Sequence, residues 1–190
     1  MTGDAAPTLV TVGHGTMSEE ELADLLCTAG VALVVDVRSA PGSRRHPQFG
    51  QAQLAGWLPA AGIGYRWEGR LGGFRRTRPD SANVALRHPS FRGYADYMAT
   101  PEFHDALAAV LQEARQGCTA VMCAETLWWR CHRRLIADAA VLAFGSRVRH
   151  LGHDGRLADH RLTDGARLAA GIVVYDVSGA SGNSRSPVTG

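Results

Sequence analysis

The stretch MCAETLWWRCHRR, residues 122–134, places two cysteines, a glutamate, a histidine and three arginines around two tryptophans. Several chemistries are open to such a set. Cys123, Glu125, Cys131 and His132 are all potential metal ligands. Their spacing matches neither CxxC nor HExxH, and adjacent Cys and His side chains diverge on a helix, so no residue is assigned to a metal. A thiol near a helix N-terminus is activated and sits where anions bind, which makes Cys131 a reactive candidate. Cys123 to Arg130 is a Cys-x6-Arg interval without the glycines of a phosphatase-type loop. Glu125 follows an apolar run and lies among arginines. It is a candidate nucleophile or general acid/base, in competition with an ion pair to Arg130, Arg133 or Arg134. Of Trp128 and Trp129, one is expected in the core and one at the surface, where an indole beside cations stacks on a base.

Two other segments carry comparable residues. Gly13-His14-Gly15 is a turn in which His14 is a base, a phosphate donor or a structural residue; it lacks the spacing of a dinucleotide loop and the P-loop Lys. Asp36 and Arg38, two positions apart, point the same way at the end of a strand. Asp36 either fixes the loop, orients Arg38 toward an anion, or acts as an acid/base. Ser43, Arg44 and Arg45 follow in a Pro/Gly/Arg loop. From Arg38 to Arg92 there are ten Arg against two acids, a local charge of +8, although the whole chain carries only +2. All twenty basic residues are Arg. Guanidinium forks suit phosphate and carboxylate, so an anionic partner is weighed against a plain solvated face.

The elements that must position these residues are legible as a pattern. An apolar run at 8–12 reads as a buried strand. Ser18 and Glu21 form a capping box for a helix with Leu22, Leu25 and Leu26 on one face, stopped by Gly30. A second strand is expected at 31–37, without polar alternation, as in strands covered on both faces. A short helix near 51–62, a third strand near 63–69 and a long loop to about residue 90 follow. The segment 91–100 reads as a helix. Thr100 and Pro101 start a firmer helix that ends at Gly117. CTAVMCAE is a fourth strand, 131–145 a helix, and 146–155 a last strand and turn. This alternation implies an α/β fold, a three-layer Rossmann-like domain with a mainly parallel sheet, over residues 1–155. Residues 156–190 read as an extension with one strand-like run, GIVVYDV, and a flexible end. In such sheets ligands bind beyond the carboxyl ends of the strands, where all three residue groups fall.

With 45% hydrophobic residues and a mean hydropathy of −0.11, the chain reads as a globular protein with one full core. No apolar run approaches membrane-spanning length, and the opening residues lack the parts of a signal peptide, so a cytoplasmic location and no membrane partner are expected. Four irregularly spaced cysteines do not make a disulfide scaffold.

TVGHG, VVDVRSAPGSRRHPQF, GIGYRWEGRLGG, FRGYADYM, VMCAE and CHRRLIAD together resemble the domain-of-unknown-function 488 family, over about Thr8 to Leu151. The resemblance implies an α/β fold and a shared site at His14, Asp36, Arg38, Pro41, Ser43, Tyr65, Gly72, Gly73, Tyr94, Cys123, Glu125, Cys131, His132 and Arg133, without implying a reaction. Two departures stand out. The family's first motif reads Gly-His-Ser, and here Gly15 replaces the hydroxyl, so that either Thr16 substitutes for it or the contact is lost. Family members carry polar or proline residues where this chain has Leu127, Trp128 and Trp129, which implies a specialised, base-containing substrate.

The leading expectation is an enzyme acting on a nucleotide or nucleic acid, a glycosylase-like hydrolase or transferase at an N-glycosidic bond. Glu125, Asp36, His14 and Cys123 form the expected catalytic set. Arg38, Arg44, Arg45 and Arg133 hold phosphates, with Ser43, Tyr65, Tyr94, Trp128, Trp129, Cys131 and His132 also contacting substrate. Two alternatives remain open. One is a metal- or thiol-dependent enzyme using Cys123, Cys131 and His132. The other is a non-catalytic binder of DNA or RNA, such as a DNA-repair accessory. No cofactor is assigned.

Overall fold

Short runs of Val, Leu and Thr bury both faces of a strand only when helices cover the sheet on each side. That is the arrangement in the computed structural model, which describes residues 8–42 and 45–176. Five parallel strands, β1 (Thr8–Gly13), β2 (Leu33–Asp36), β3 (Gly64–Trp67), β4 (Thr119–Cys123) and β5 (Arg147–Leu151), are extended by an antiparallel β6 (Leu157–Asp159) in the order β3-β2-β4-β1-β5-β6. Helices α1 (Glu19–Thr28) and α2 (Gln51–Ala60) cover one face. Helices α3 (Pro89–Met98), α4 (Pro101–Gln116) and α5 (Arg133–Leu142) cover the other. The fold is thus the Rossmann-like α/β/α sandwich.

Alternate residues of each strand feed opposite cores. In β4, Ala120 and Met122 pack under α1 and α2, whereas Val121 and Cys123 face α4 and α5. The helix starts use the expected caps. Ser18 Oγ accepts from the Glu21 N–H at 3.1 Å, while Glu21 accepts from the Ser18 N–H at 2.7 Å. Thr100 Oγ1 accepts from the Phe103 N–H.

The strand order decides where a site can form. Because β4 inserts between β1 and β2, the carboxyl ends of these three strands lie side by side. The chain leaves β1 toward α1 on one face and β4 toward α5 on the other, and a crevice opens where such connections diverge. The long loop before α3 is pinned: Asp96 accepts from the Arg78 N–H, the Ser81 hydroxyl and the Asn83 amide at 2.5–2.8 Å.

The C-terminal extension differs from its sequence reading. Three strands stand where one was expected: β6, which prolongs the main sheet across residue 155, and a hairpin of β7 (Ala166–Ala169) and β8 (Ile172–Tyr175). The segments LAD and ARLA are short and half-polar, so nothing local marks them; pairing with a neighbouring strand makes them. Val173 and Tyr175 enter the same core as α3 and α5. The Tyr175 hydroxyl donates to Asp138 Oδ2 at 2.8 Å, and its backbone N–H donates to Asn83 Oδ1 at 3.0 Å. The expected flexible end lies outside the described residues.

Residues 166–175 are therefore part of the domain's stability. Tyr175→Phe leaves a buried carboxylate short of one donor and is expected to destabilise the protein by about 1–3 kcal/mol. Urea unfolding of the two proteins checks this; equal midpoints would show that the hairpin is not coupled to the core.

Candidate active site

The crevice is a cleft of about 1030 Å³ whose wall is built from the ends of β1, β2 and β4 and the start of α5. The loops after β1 and β4 continue the parallel ladder past the sheet. His14 N–H donates to the Cys123 carbonyl and Gly15 N–H to the Ala124 carbonyl, both at 3.0 Å. This closeness explains Gly13: a side chain there would run into the Glu125 carbonyl and the Arg133 guanidinium. Gly15 has φ +55°, and a Cβ on it would meet the Thr126 hydroxyl and the His153 ring. Two hydroxyl-bearing residues, Thr16 and Thr126, line the cleft at this turn, where position 15 carries none.

Behind one wall lies a closed polar cluster. Asp36 is wholly buried and accepts from Arg38 Nε at 2.8 Å, Arg38 Nη2 at 2.5 Å and the Tyr65 hydroxyl at 3.0 Å. Arg38 Nη2 also donates to the Phe49 carbonyl at 2.8 Å. The remaining fork nitrogen, Nη1, lies 3.3 Å from His14 Nε2. His14 Nδ1 faces the Gly15 carbonyl at 3.0 Å, so it carries the ring proton and Nε2 accepts from Arg38. Burial, with the Arg38 charge adding to it, lowers the His14 pKa to about 4. The Tyr65 hydroxyl titrates well above its ordinary value because it is buried against Asp36. Asp36 is thus an orienter of Arg38, its oxygens occupied, and is not free for acid/base work. Tyr65 is a member of this cluster and does not line the cleft.

Behind the other wall lies Arg133, only 1% exposed. Its Nε donates to Cys123 Sγ at 2.9 Å, Nη1 to the Thr11 hydroxyl at 3.4 Å and Nη2 to the Glu125 and Thr126 carbonyls. The expectation that Arg133 holds a substrate phosphate is therefore corrected: its donors are spent tying β1, β4 and the Glu125 loop to α5. Cys123 and Cys131 sulfurs lie 2.8 Å apart. His132 presents Nδ1 to Cys131 Sγ at 3.4 Å and Nε2 to the Val37 carbonyl at 3.0 Å. Since a carbonyl only accepts, Nε2 carries a proton and Nδ1 is the nitrogen facing the thiol.

The two tryptophans take different settings, although neither enters the core: Trp128 is half-buried and Trp129 exposed. Trp128 stacks on His150 with ring centroids 3.9 Å apart and turns away from the cleft. Trp129 is 50% exposed and lines it. The cleft therefore brings together His14, Arg38, Arg45, Tyr94, Cys123, Glu125, Trp129, Cys131 and His132. Tyr94 forms part of its floor, with its hydroxyl donating to the Leu71 carbonyl. Asp36, Tyr65, Trp128 and Arg133 stand behind the lining, while Ser43 and Arg44 lie outside the described residues. Glu125 projects into solvent at the mouth, and its carboxylate accepts from the Leu127 N–H at 3.3 Å. Among the described residues no three His, Cys, Asp or Glu side chains converge as a metal site.

Sequence reasoning missed two features. Phe74 is 93% exposed at the cleft with φ +61°, a left-handed conformation that a large side chain rarely adopts. It lies in the segment read as a long loop, which gave no hint of an exposed aromatic at the cleft. The second is a buried chain of hydrogen bonds. Thr11 Oγ1 pairs with His150 Nδ1 at 2.7 Å, His150 Nε2 with His160 Nδ1 at 2.9 Å, and His160 Nε2 with Asp138 Oδ1 at 2.9 Å. Burial, together with the His160 and Arg133 charges, lowers the His150 pKa to about 3.

Two buried neutral histidines make stability depend on pH. Both have folded pKa values below the ordinary 6.5, so the unfolded chain binds more protons as pH falls through 6.5. Their contribution is complete above about pH 6.5 and is lost progressively as pH falls toward 4. Urea unfolding at stepped pH is expected to show a falling midpoint between pH 6.5 and 5, and His14→Gln with His150→Gln is expected to flatten that slope. An unchanged slope in the double variant would refute the assignment.

Residues 18–140 match the family described as Domain of unknown function DUF488. No curated protein and no solved structure matches the chain. The matched region spans α1 through most of α5, and with it β2, β4 and every lining residue of the cleft except those of the turn after β1. The chain therefore belongs to the DUF488 family.

Proposed function

We propose that the chain is an enzyme acting on a nucleotide or nucleic acid, and that it cleaves or transfers at an N-glycosidic bond. The observation that carries this reading is the setting of Glu125. It is the one carboxylate among the described residues lining the cleft, and it faces solvent rather than an ion-pair partner. With it in the cleft, among the described residues, stand three arginines, Arg38, Arg45 and Arg130, and two exposed aromatic faces, Phe74 and Trp129. Such a carboxylate can attack the anomeric carbon or activate a water beside it, stabilising the oxocarbenium-like charge that develops there. Arg45 and Arg130 offer guanidinium groups to a phosphate, while Arg38, its fork held by Asp36, adds positive charge at the wall; the indole and phenyl faces supply stacking for a base. His14, neutral at physiological pH and tied to Arg38, orients that arginine rather than taking a proton from substrate. Cleavage would make the protein a glycosylase-like hydrolase, and capture of the sugar by a second acceptor would make it a transferase.

A second reading, thiol-dependent catalysis, is favoured by a separate observation: Cys131 meets a histidine nitrogen at 3.4 Å on the cleft wall. Base release from a panel of nucleosides, nucleotides and short single-stranded oligonucleotides, followed chromatographically, separates the two. Glu125→Gln is expected to lower turnover by at least about a hundredfold, and Trp129→Ala to raise KM roughly tenfold with little change in kcat. Full activity in Glu125→Gln, together with loss of activity on alkylating Cys131, would replace the first reading by the second.

A further inference from the structure

The closest pair of reactive side chains in the cleft wall is one that the proposed glycosidic chemistry does not use. Cys123 ends β4 and Cys131 precedes α5, and their sulfurs are 2.8 Å apart, against about 2.05 Å in a disulfide bond. Both are free, largely buried thiols at the cleft wall, with Cys131 the more exposed of the two at 6% against 2%. Their surroundings are cationic. Arg133 is buried against them with its Nε on Cys123, and its partners among the described residues are sulfur, hydroxyl and carbonyl, none a carboxylate. A buried guanidinium without an adjacent carboxylate favours one negative charge on the hydrogen-bonded thiol pair beside it, and the His132 ring nitrogen 3.4 Å from Cys131 Sγ places that charge on Cys131.

We infer that Cys123 and Cys131 are a hydroperoxide-reactive dithiol that closes to a disulfide across the loop carrying Glu125 and Trp129. The roles of the two sulfurs are distinct. The Cys131 thiol is held well below its ordinary pKa, chiefly by the hydrogen bond from Cys123 and further by His132 and Arg133. The Cys123 thiol is pushed up by burial. Cys131 thiolate attacks the terminal peroxide oxygen; the S–O bond forms, the O–O bond breaks, and the departing hydroxide or alkoxide takes a proton to become water or an alcohol. The Cys123 sulfur then attacks the Cys131 sulfenic acid; the S–S bond forms, the S–O bond breaks, and the Cys123 proton leaves with hydroxide as a second water. The two thiols together lose two electrons, and the peroxide gains them. Arg133 Nε then faces a neutral disulfide sulfur in place of the thiol pair, and the Glu125 loop is fixed at both ends by a covalent bond. The inference rests on the thiols alone and stands whatever the cleft's substrate is.

The test uses the reduced full-length protein, hydrogen peroxide and alkylation by N-ethylmaleimide, read by intact mass and peptide mapping. Two of the four thiols are expected to escape alkylation, as a Cys123–Cys131 linked peptide that dithiothreitol restores. Exposed Cys27 and half-buried Cys118 serve as internal controls and are expected to remain alkylatable. In Cys123→Ser the reaction is expected to stop at a Cys131 sulfenic acid trapped by dimedone. In Cys131→Ser, Cys123 is expected to react at least about tenfold more slowly. Should a variant fail to fold, the peptide map of the unsubstituted protein decides by itself. Full alkylation of Cys131 under peroxide that already oxidises Cys27, or its passage to sulfinic acid without the linked peptide, would overturn the inference.

Discussion

A guanidinium buried at the carboxyl edge of the sheet holds this site together. Arg133 enters from the first turn of α5 and reaches three separate pieces of chain: the Thr11 hydroxyl on β1, the Cys123 sulfur at the end of β4, and the carbonyls of Glu125 and Thr126 in the loop between β4 and α5. A charge so far from water persists only when its donors are satisfied and a counter-charge is within electrostatic reach. The donors are met by these four partners. The charge is answered on one side by the thiol pair and, further away, by Asp138. Gly13 at the end of β1 must be glycine to let the Glu125 carbonyl and this guanidinium approach, and the Glu125 carbonyl is held inward while its side chain is exposed.

The link to Asp138 is a chain of hydrogen bonds. Arg133 donates to the Thr11 hydroxyl, which pairs with His150; His150 pairs with His160, and His160 with Asp138, while Tyr175 donates to the other carboxylate oxygen. Burial holds the His150 pKa well below its ordinary value. Trp128, stacked on His150, shields the chain from the cleft. The C-terminal hairpin thus reaches the candidate site through Tyr175, Asp138 and the two histidines, although none of its residues lines the cleft.

On the far side of the cleft, the Asp36–Arg38 pair plays the corresponding part with opposite geometry. A carboxylate lies deepest and the guanidinium points outward, gripped in a bidentate fork. Removing either partner would leave the other buried and uncompensated, whereas the pair together presents one Nη edge, shared with His14, toward the cleft. The two walls therefore differ. One offers a charged fork held by acid; the other offers sulfur, imidazole and an outward carboxylate.

Much of this was legible in the sequence. Apolar runs of Val and Leu determined the strands, and Ser18 with Glu21 and Thr100 with Pro101 determined where two helices begin, because capping is settled by neighbours three residues apart. The rule that open parallel sheets bind ligands at strand carboxyl ends correctly gathered His14, Arg38, Glu125 and Cys131 into one cleft. What a residue does within that cleft depended on burial and on partners distant in the chain. Arg133 and Arg130 look alike in WWRCHRR, yet one is spent in the interior and the other lines the cleft, since helix phase directs one toward Thr11, 122 residues away. Likewise, strands β6 and β7 carry no apolar signal of their own, and the His150–His160–Asp138 chain joins residues that no local motif connects. The sequence by itself determined the elements and the edge at which chemistry gathers, because those depend on local pattern and connectivity. The tertiary structure decided which charges are consumed and which face the cleft, because a buried ionic group is defined by the partners that replace water around it.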